Sequence, residues 1–174
     1  KEVLVNDELI AYIRREVGHS LTGDTSEQSF RFLYGTGANG KTVFIRVIHA
    51  LLGDYAENTP FTTFLIQRSD TVRNDIAGLH KARLVTAAEP RRGARFDLSN
   101  LKNATGGDPI TARFLFCEPF TFYPEWKIWL IGNSKPIINE TTRAIWRRVR
   151  LVPFTVNIPE EKQNEQLSDE IIEE

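Results

Sequence analysis

The eight residues Gly35-Thr36-Gly37-Ala38-Asn39-Gly40-Lys41-Thr42 fit the pattern G-x-x-x-x-G-K-[ST]. This pattern is typical of a loop whose backbone N–H groups surround the phosphates of a nucleotide. Residues 30–34 before it are aromatic-rich, as in a strand, and residues 41–52 after it repeat apolar side chains at helical spacing. The sequence therefore predicts a strand, a phosphate-binding loop and a helix, in that order.

Two residues of this loop carry side-chain chemistry of their own. Lys41 is expected to place its ammonium on the β- and γ-phosphates, and Thr42 to place its hydroxyl on Mg²⁺. The glycines let the backbone approach the phosphates closely, and the N-terminus of the following helix adds unpaired N–H donors. We therefore expect ATP with Mg²⁺ to contact the whole loop from Gly35 to Thr42.

Length and composition favour a single folded domain. The chain has 174 residues and 41% hydrophobic content, enough for a full core. Its single cysteine, Cys117, excludes an internal disulfide. There is no apolar run of spanning length and no signal peptide, so we expect a cytoplasmic protein without membrane association. The chain starts at Lys1 and has no methionine, which indicates a piece of a longer protein with flanking domains.

Charge is distributed unevenly along the chain. Residues 159–174 contain seven acids and one base, whereas residues 1–158 contain 21 bases and 16 acids. A mildly basic body permits nucleic-acid binding without proving it. We divide the chain into an N-terminal helical segment and linker (1–29), an ATPase core (30–158) and an acidic tail (159–174) that is expected to be a solvated helix face or a linker.

A second element of the site is expected at the end of the stretch from Ala82 to Ala88, which reads as a strand. It ends on Glu89, and a parallel strand beside the loop strand would deliver that carboxylate to Mg²⁺ and to the attacking water. Glu89 is therefore a predicted catalytic and metal-site residue.

The next stretch predicts a helix, a hairpin and a third site residue. Asp97 to Thr105 reads as a helix, and Ile110 to Phe116 and Phe120 to Tyr123 read as strands joined by a tight turn at 117–119. Trp126 to Ile131 is a continuous apolar run, typical of a buried strand. Asn133 follows that strand, and we expect it to position the water that attacks the γ-phosphate.

An arginine-rich run comes last, with Arg143, Arg147, Arg148 and Arg150 around Ile145, Trp146 and Val149. Such runs are usually solvated faces. Here an arginine could instead reach the nucleotide of a neighbouring subunit and neutralise charge on its γ-phosphate.

Five motifs in a fixed order resemble a known family. They are the phosphate loop, the acid-ended strand, the string K-x-x-T-G-G-D-P-I-T-A-R at 102–113, the string G-N-x-x-P at 132–136, and A-I-W-R-R-V-R-L-V-P-F at 144–154. The order resembles the superfamily 3 helicase domain of phage and plasmid primase-helicases, relatives of the poxvirus-type NTPase. The resemblance covers residues 30–154.

The resemblance implies a modified AAA+ fold of the P-loop NTPase type. It also implies a ring, usually hexameric, with ATP between subunits, and unwinding of DNA at a replication fork in a bacterial host. By position, the loop corresponds to motif A, Glu89 to motif B, residues 102–113 to motif B-prime and Asn133 to motif C. Arg148 corresponds to the arginine finger, with Arg147 as the alternative. A primase module is expected upstream of Lys1.

Two positions depart from that pattern. Ala88-Glu89 supplies one acid where relatives often have two, and the hairpin turn Cys117-Glu118-Pro119 lacks the lysine expected to grip DNA. DNA contact is therefore assigned to Lys102, Arg113 or Lys127. Two other functions stay open: a P-loop ATPase that serves as a replication initiator or packaging motor, and a nucleotide-gated DNA-binding module with little hydrolysis.

Overall fold

The computed structural model describes residues 3–4, 6–66, 73–88, 96–136, 138 and 143–174. Within them, the helices are α1 (Asp7–Ser20), α2 (Lys41–Leu52), α3 (Asn74–Ala77), α4 (Leu98–Gly106), α5 (Arg143–Trp146) and α6 (Leu167–Glu173). The strands are β1 (Phe30–Tyr34), β2 (Ala56–Asn58), β3 (Leu84–Ala88), β4 (Ile110–Ala112), β5 (Phe120–Phe122), β6 (Lys127–Gly132) and β7 (Val149–Pro153). Glu89 lies outside the described residues.

Five strands form one parallel sheet in the order β2-β3-β6-β1-β7. The prediction that the acid-ended strand β3 lies beside the loop strand β1 is wrong, because β6 lies between them. The central position buries a strand on both faces, and the continuous apolar run of β6 suits that position better than any other stretch of the chain. The α/β class with a central parallel sheet flanked by helices is confirmed.

Alternate side chains of the central strands enter two separate cores. On one face, Phe30 and Phe32 of β1 and Ile128 and Leu130 of β6 pack with α3, α4 and α5. On the other face, Leu33 and Trp129 belong to a second cluster, with buried apolar residues of α1 and α2. The period-2 alternation of strand side chains thus produces three layers, with helices on both faces of the sheet.

Arg31 is the most deeply buried charged side chain in this apolar alternation. It is 1% exposed, and its guanidinium forms ion pairs with Glu16 of α1 and with Glu27. Burial is the main cause that lowers the pKa of Arg31. Because removal of one partner would leave a buried charge unpaired, this pair fixes how α1 sits on the sheet.

Side-chain caps account for where two helices begin. Asn6 Oδ1 accepts a hydrogen bond from the Leu9 amide at 2.8 Å, and Asp97 Oδ1 accepts one from the Asn100 amide at 3.0 Å. Helix α1 passes through Gly18 and continues to Ser20, whose hydroxyl donates to the Glu16 carbonyl oxygen. One glycine weakens a helix but does not have to end it when the flanking turns pack.

The hairpin exists, but its strands are shorter than predicted. β4 and β5 pair antiparallel over three residues each, and residues 113–119 form a loop rather than strand followed by a tight turn. In that loop the Cys117 amide donates to the Phe114 carbonyl oxygen at 3.0 Å. Strand pairing therefore stops at Ala112 and Phe120, and the hairpin carries a seven-residue loop.

The acidic tail packs on the body of the domain. Ser168 of α6 is 1% exposed, and Asp169 forms an ion pair of 2.9 Å with Arg46 of α2. The acidic side of α6 is thus a solvated face, as expected, while the helix itself covers α2. The helices in the described part of the chain are all too short or too polar to span a bilayer.

Candidate nucleotide-binding site

One edge of the sheet gathers the phosphate loop, Asn133 and the end of strand β3. The carboxyl ends of parallel strands meet at the same edge, and here β1 leads into Gly35, β6 into Asn133, and β3 ends at Ala88, immediately before Glu89. Asn133 is exposed at this edge. The strand order places it between the phosphate loop and the end of β3.

The loop delivers the backbone of α2 to this edge. Gly40 caps α2 with φ of 78°, a left-handed conformation that favours glycine, and Ala38 takes φ of 56°. No side chain caps the N-terminus of α2, and its first turn contains no acid. The first N–H groups of α2 and the exposed Thr42 hydroxyl therefore fit a phosphate group with its Mg²⁺.

Lys41 is held close to the loop backbone. Its Nζ donates to the Gly35 carbonyl oxygen at 2.6 Å and to Asn39 Oδ1 at 2.8 Å, and the residue is 6% exposed. Burial lowers the pKa of Lys41. An ammonium already desolvated in this way interacts strongly with an incoming phosphate.

Asn39 has a structural role that the motif did not reveal. Its Nδ2 donates to the carbonyl oxygens of Thr36 and Phe154, the latter at 2.7 Å, and the residue is 4% exposed. The Ile158 amide also donates to the Ala38 carbonyl oxygen at 2.8 Å. The chain after β7 thus fastens the phosphate loop from the side of the neighbouring strand.

A further cation lies at the same edge and was not predicted. Lys135 places its Nζ 5.4 Å from the centroid of the Tyr34 ring, directly before the loop. The only sequence signal for it is its position two residues after Asn133.

The arginine run lies at the opposite edge of the sheet. Arg148 precedes β7, and its carbonyl oxygen accepts a hydrogen bond from the Phe30 amide at the start of β1. At about 3.3 Å per residue, the five residues of β1 separate this edge from the phosphate loop by about 17 Å. Neither Arg147 nor Arg148 can therefore reach the loop of its own chain.

The two arginines differ in exposure. Arg148 is 7% exposed and donates through Nη1 to the Ala144 carbonyl oxygen at 2.7 Å, and burial, followed by the charge of Arg147, lowers its pKa. Arg147 is exposed. Both guanidinium groups also donate to Gln28 Oε1, at 2.9 Å from Arg147 and 3.1 Å from Arg148.

The three cations predicted to contact DNA lie in different surroundings. Arg113 is exposed in the hairpin loop, and Lys102 is half-buried on α4. Lys127 is 3% exposed at the start of β6, where burial lowers its pKa, so its burial argues against a direct contact with DNA. Lys127 differs from the other two cations because the start of β6 is buried by the surrounding fold, and the sequence gives no sign of this burial.

The hairpin loop exposes aromatic side chains that sequence reasoning did not single out. Phe116 is 97% exposed with φ of 63°, a conformation that non-glycine residues rarely adopt. Phe114 stacks on Phe120 with ring centroids 5.8 Å apart, and Phe120 stacks on Phe122 at 5.6 Å. The hairpin therefore carries a short aromatic ladder and, in its loop, one almost fully exposed ring.

Glu16, His19 and Glu27 form the one cluster in the described part of the chain with three potential metal-ligand atoms within 4.8 Å of one another. Arg31 forms ion pairs with both carboxylates. Because its guanidinium already pairs with both carboxylates, this cluster is better described as the binding partner of Arg31 than as a cation site.

Comparison with known proteins finds similarity to viral proteins named as putative helicases. "Putative helicase L207/L206" of Acanthamoeba polyphaga mimivirus is 31% identical over 156 residues, which cover 88% of this chain and 16% of that protein. "Putative helicase 022R" of Frog virus 3 (isolate Goorha) is 30% identical over 149 residues, which cover 82% of this chain and 15% of that protein. The chain thus spans about a sixth of the length of these two curated relatives.

A solved structure shares the fold. The C-terminal region of NrS-1, in its A form without ligand, superposes with a TM-score of 0.65 at 11% identity, covering 99% of this chain and 44% of that one. Residues 33–148 match the model of the "Family of unknown function (DUF5906)". This match spans more than half of the sequence, and the chain therefore belongs to the DUF5906 family.

Proposed function

We propose that this chain is the ATPase domain of a replicative DNA helicase, which hydrolyses ATP at subunit interfaces to unwind DNA. The observation that carries the proposal is the division of the site between two edges of one sheet. The phosphate loop and Asn133 lie at one edge, and the arginines lie about 17 Å away at the other. A complete site then needs a second subunit, and the helicase names of the viral relatives support a role on DNA.

Each residue has a defined task in this proposal. The α2 N-terminus and Lys41 bind the phosphates, Asn133 orients the attacking water, and Glu89 accepts its proton. Mg²⁺, held by Thr42 and Glu89, would neutralise charge on the phosphate oxygens. An arginine of the neighbouring subunit completes the site.

The finer assignment follows the sequence resemblance. We propose a superfamily 3 helicase with a modified AAA+ fold, assembled as a hexameric ring and joined to an upstream primase module in the intact protein. A heterologous interface, in which one edge of each subunit meets the other edge of the next, closes into a ring when its rotation permits.

The direct test uses the intact parent protein with ATP and Mg²⁺. Phosphate release is expected to increase when single-stranded DNA is added, and a forked duplex is expected to separate in the same mixture. Hydrolysis without strand separation would favour an initiator or packaging motor. Stoichiometric ATP binding without DNA-stimulated phosphate release would favour a nucleotide-gated binding module.

The hairpin loop is the surface that this proposal assigns to DNA. Arg113 offers an exposed cation for a phosphate, and Phe116 offers an exposed ring for a base. Lys102 is a second phosphate contact in the proposal. The loop thus combines the two chemistries that bind single strands without sequence preference.

The two contacts predict different salt responses. Arg113→Ala is expected to weaken binding of single-stranded DNA mildly and to reduce the slope of log K against log salt by about 0.7, because one phosphate contact is lost. Phe116→Ala is expected to cost about 1–3 kcal/mol of binding energy with an unchanged slope, because stacking releases no counterions.

Fluorescence anisotropy with labelled oligonucleotides at several salt concentrations measures both quantities. Arg15→Ala on α1 and Leu51→Ala on α2 are matched controls, since both side chains are exposed away from the hairpin. If neither variant at the loop changed affinity or slope, DNA would bind elsewhere on the domain.

A further inference from the structure

Gln28 connects the arginine edge with the helix that leads to the hairpin. It lies in the segment between α1 and β1 and is half-buried, with φ of 50°. Its backbone N–H donates to the Thr25 carbonyl oxygen at 2.9 Å. This turn directs the side chain away from its own backbone and between two other elements.

One end of the Gln28 side chain serves the arginines. Oε1 accepts from Nη2 of Arg147 at 2.9 Å and from Nη2 of Arg148 at 3.1 Å. Hydrogen bonds from ionised donors are about twice as strong as neutral ones. A single oxygen therefore sets the relative position of two like-charged guanidinium groups.

The side-chain nitrogen of Gln28 contacts α4. Gln28 Nε2 donates to the carbonyl oxygen of Gly106, the last residue of that helix, at 3.3 Å. The next residue, Gly107, has φ of 79°, and a Cβ there would lie 2.9 Å from Thr25 Oγ1. The chain enters the hairpin strand β4 at Ile110, four residues after Gly106.

The carboxamide of Gln28 makes both sets of contacts because it carries an acceptor and a donor. A guanidinium can only donate and a backbone carbonyl can only accept, so the linking side chain must accept at one end and donate at the other. Glutamate would lose the donor, and lysine or arginine would lose the acceptor.

We propose that Gln28 is a positioning residue that couples the hairpin to the arginines. When DNA displaces the hairpin and the end of α4, the carboxamide moves with Gly106 and shifts Arg147 and Arg148 relative to the nucleotide of the neighbouring subunit. The coupling rests on the proposed function, and it gives DNA a route by which to stimulate hydrolysis.

The test compares the ratio of ATP turnover with and without single-stranded DNA in the intact protein. Gln28→Glu keeps the acceptor for the arginines and loses the donor to Gly106, so this ratio is expected to fall by between about twofold and about thirtyfold. ATP affinity is expected to stay at the wild-type value, because the phosphate loop is at the opposite edge. Gln166→Glu, an exposed position at the start of α6, is the matched control.

A second variant covers the case in which Gln28→Glu does not fold. Gln28→Asn keeps an uncharged amide and tolerates a positive φ, but it is one methylene too short to span both partners, so the ratio is expected to fall as well. A wild-type ratio in both variants would overturn the coupling alone. A wild-type protein that DNA does not stimulate would overturn the proposed function and the coupling with it.

Discussion

Replacing Lys41 with alanine is expected to abolish ATP turnover and to weaken ATP binding. Lys41 is the loop's own side-chain cation, and its Nζ lies within hydrogen-bonding distance of the Gly35 carbonyl oxygen and Asn39 Oδ1. Loss of one preorganised donor to the charge that develops in a transition state typically lowers kcat by about 10²–10³-fold.

The same substitution also removes a donor from the loop itself. Asn39 Oδ1 would lose its lysine partner while Asn39 Nδ2 keeps its bond to the Phe154 carbonyl oxygen. A local rearrangement could therefore imitate a catalytic defect. Lys41→Met removes the same donor but retains most of the aliphatic stem, so a comparable loss in both variants excludes lost packing of the stem as the cause.

Phosphate release and the binding of a fluorescent ATP analogue measure the two expected effects, with thermal unfolding as the check on folding. Lys81→Ala is the control, because this exposed lysine precedes the start of β3, at the end of the sheet opposite the phosphate loop. Turnover at the wild-type rate in Lys41→Ala would remove the phosphate loop from the proposed mechanism.

The central part of the fold could be predicted because its sequence signals are local. β1 and α2 have the predicted bounds, and β6 is displaced by one residue from the predicted run. Each is strongly apolar with one clear period, and the glycine-rich motif fixes the turn between β1 and α2. Local pattern and tertiary burial agree there, which is the condition under which sequence reasoning succeeds.

The edge strands could not be predicted because they lack such a local signal. β2 consists of Ala56-Glu57-Asn58, which has no apolar pattern, and it pairs on one side only. β7 contains Arg150 and ends at Pro153, and the proline favours an edge position. In the sequence, the arginines of this run indicate a contact with nucleotide rather than a strand. Edge strands are stabilised by backbone pairing with a neighbour, and the neighbour is not readable from their own residues.

The long-range contacts within the site could not be predicted either. The motif correctly placed the loop before α2, but the tie from Asn39 to Phe154 spans 115 residues and leaves no trace in the spacing of either segment. The bridge from Gln28 to Arg147 and Arg148 spans about 120 residues and was missed in the same way. Which polar side chains meet depends on strand order, and strand order was the part of the topology predicted wrongly.

The arginine edge yields the second prediction with a large effect. Arg148→Ala is expected to leave ATP binding intact and to lower hydrolysis by about 10³–10⁵-fold, as for other arginines that act across an interface. Binding survives because each chain keeps its own loop at the opposite edge of the sheet. Arg15→Ala, at an exposed position on α1, should hydrolyse ATP at the wild-type rate.

Because Arg148 is buried, the exposed Arg147 is an alternative candidate for this role. Arg148 is 7% exposed and donates to the Ala144 carbonyl oxygen, whereas Arg147 is exposed, and both share Gln28 Oε1. If Arg148 only fixes the turn after α5, its alanine variant is expected to lower the unfolding temperature. Arg147→Ala would then show the large loss of turnover at an unchanged unfolding temperature.

Mixed assemblies decide which arginine acts in trans. In an equimolar mixture of Lys41→Ala and Arg148→Ala subunits, half of the loops and half of the facing arginines are intact, so about a quarter of the interfaces are complete. Turnover is therefore expected to return to about a quarter of the wild-type value if interfaces act independently.

Native mass spectrometry must first show that the two variants assemble together. If Arg147→Ala also loses turnover by itself, the same mixture made with that variant should regain activity only if Arg147 reaches the neighbour. An arginine whose variant loses turnover, yet regains none in confirmed mixed rings, would not act across the interface, and the assignment would pass to the other arginine or to Arg143.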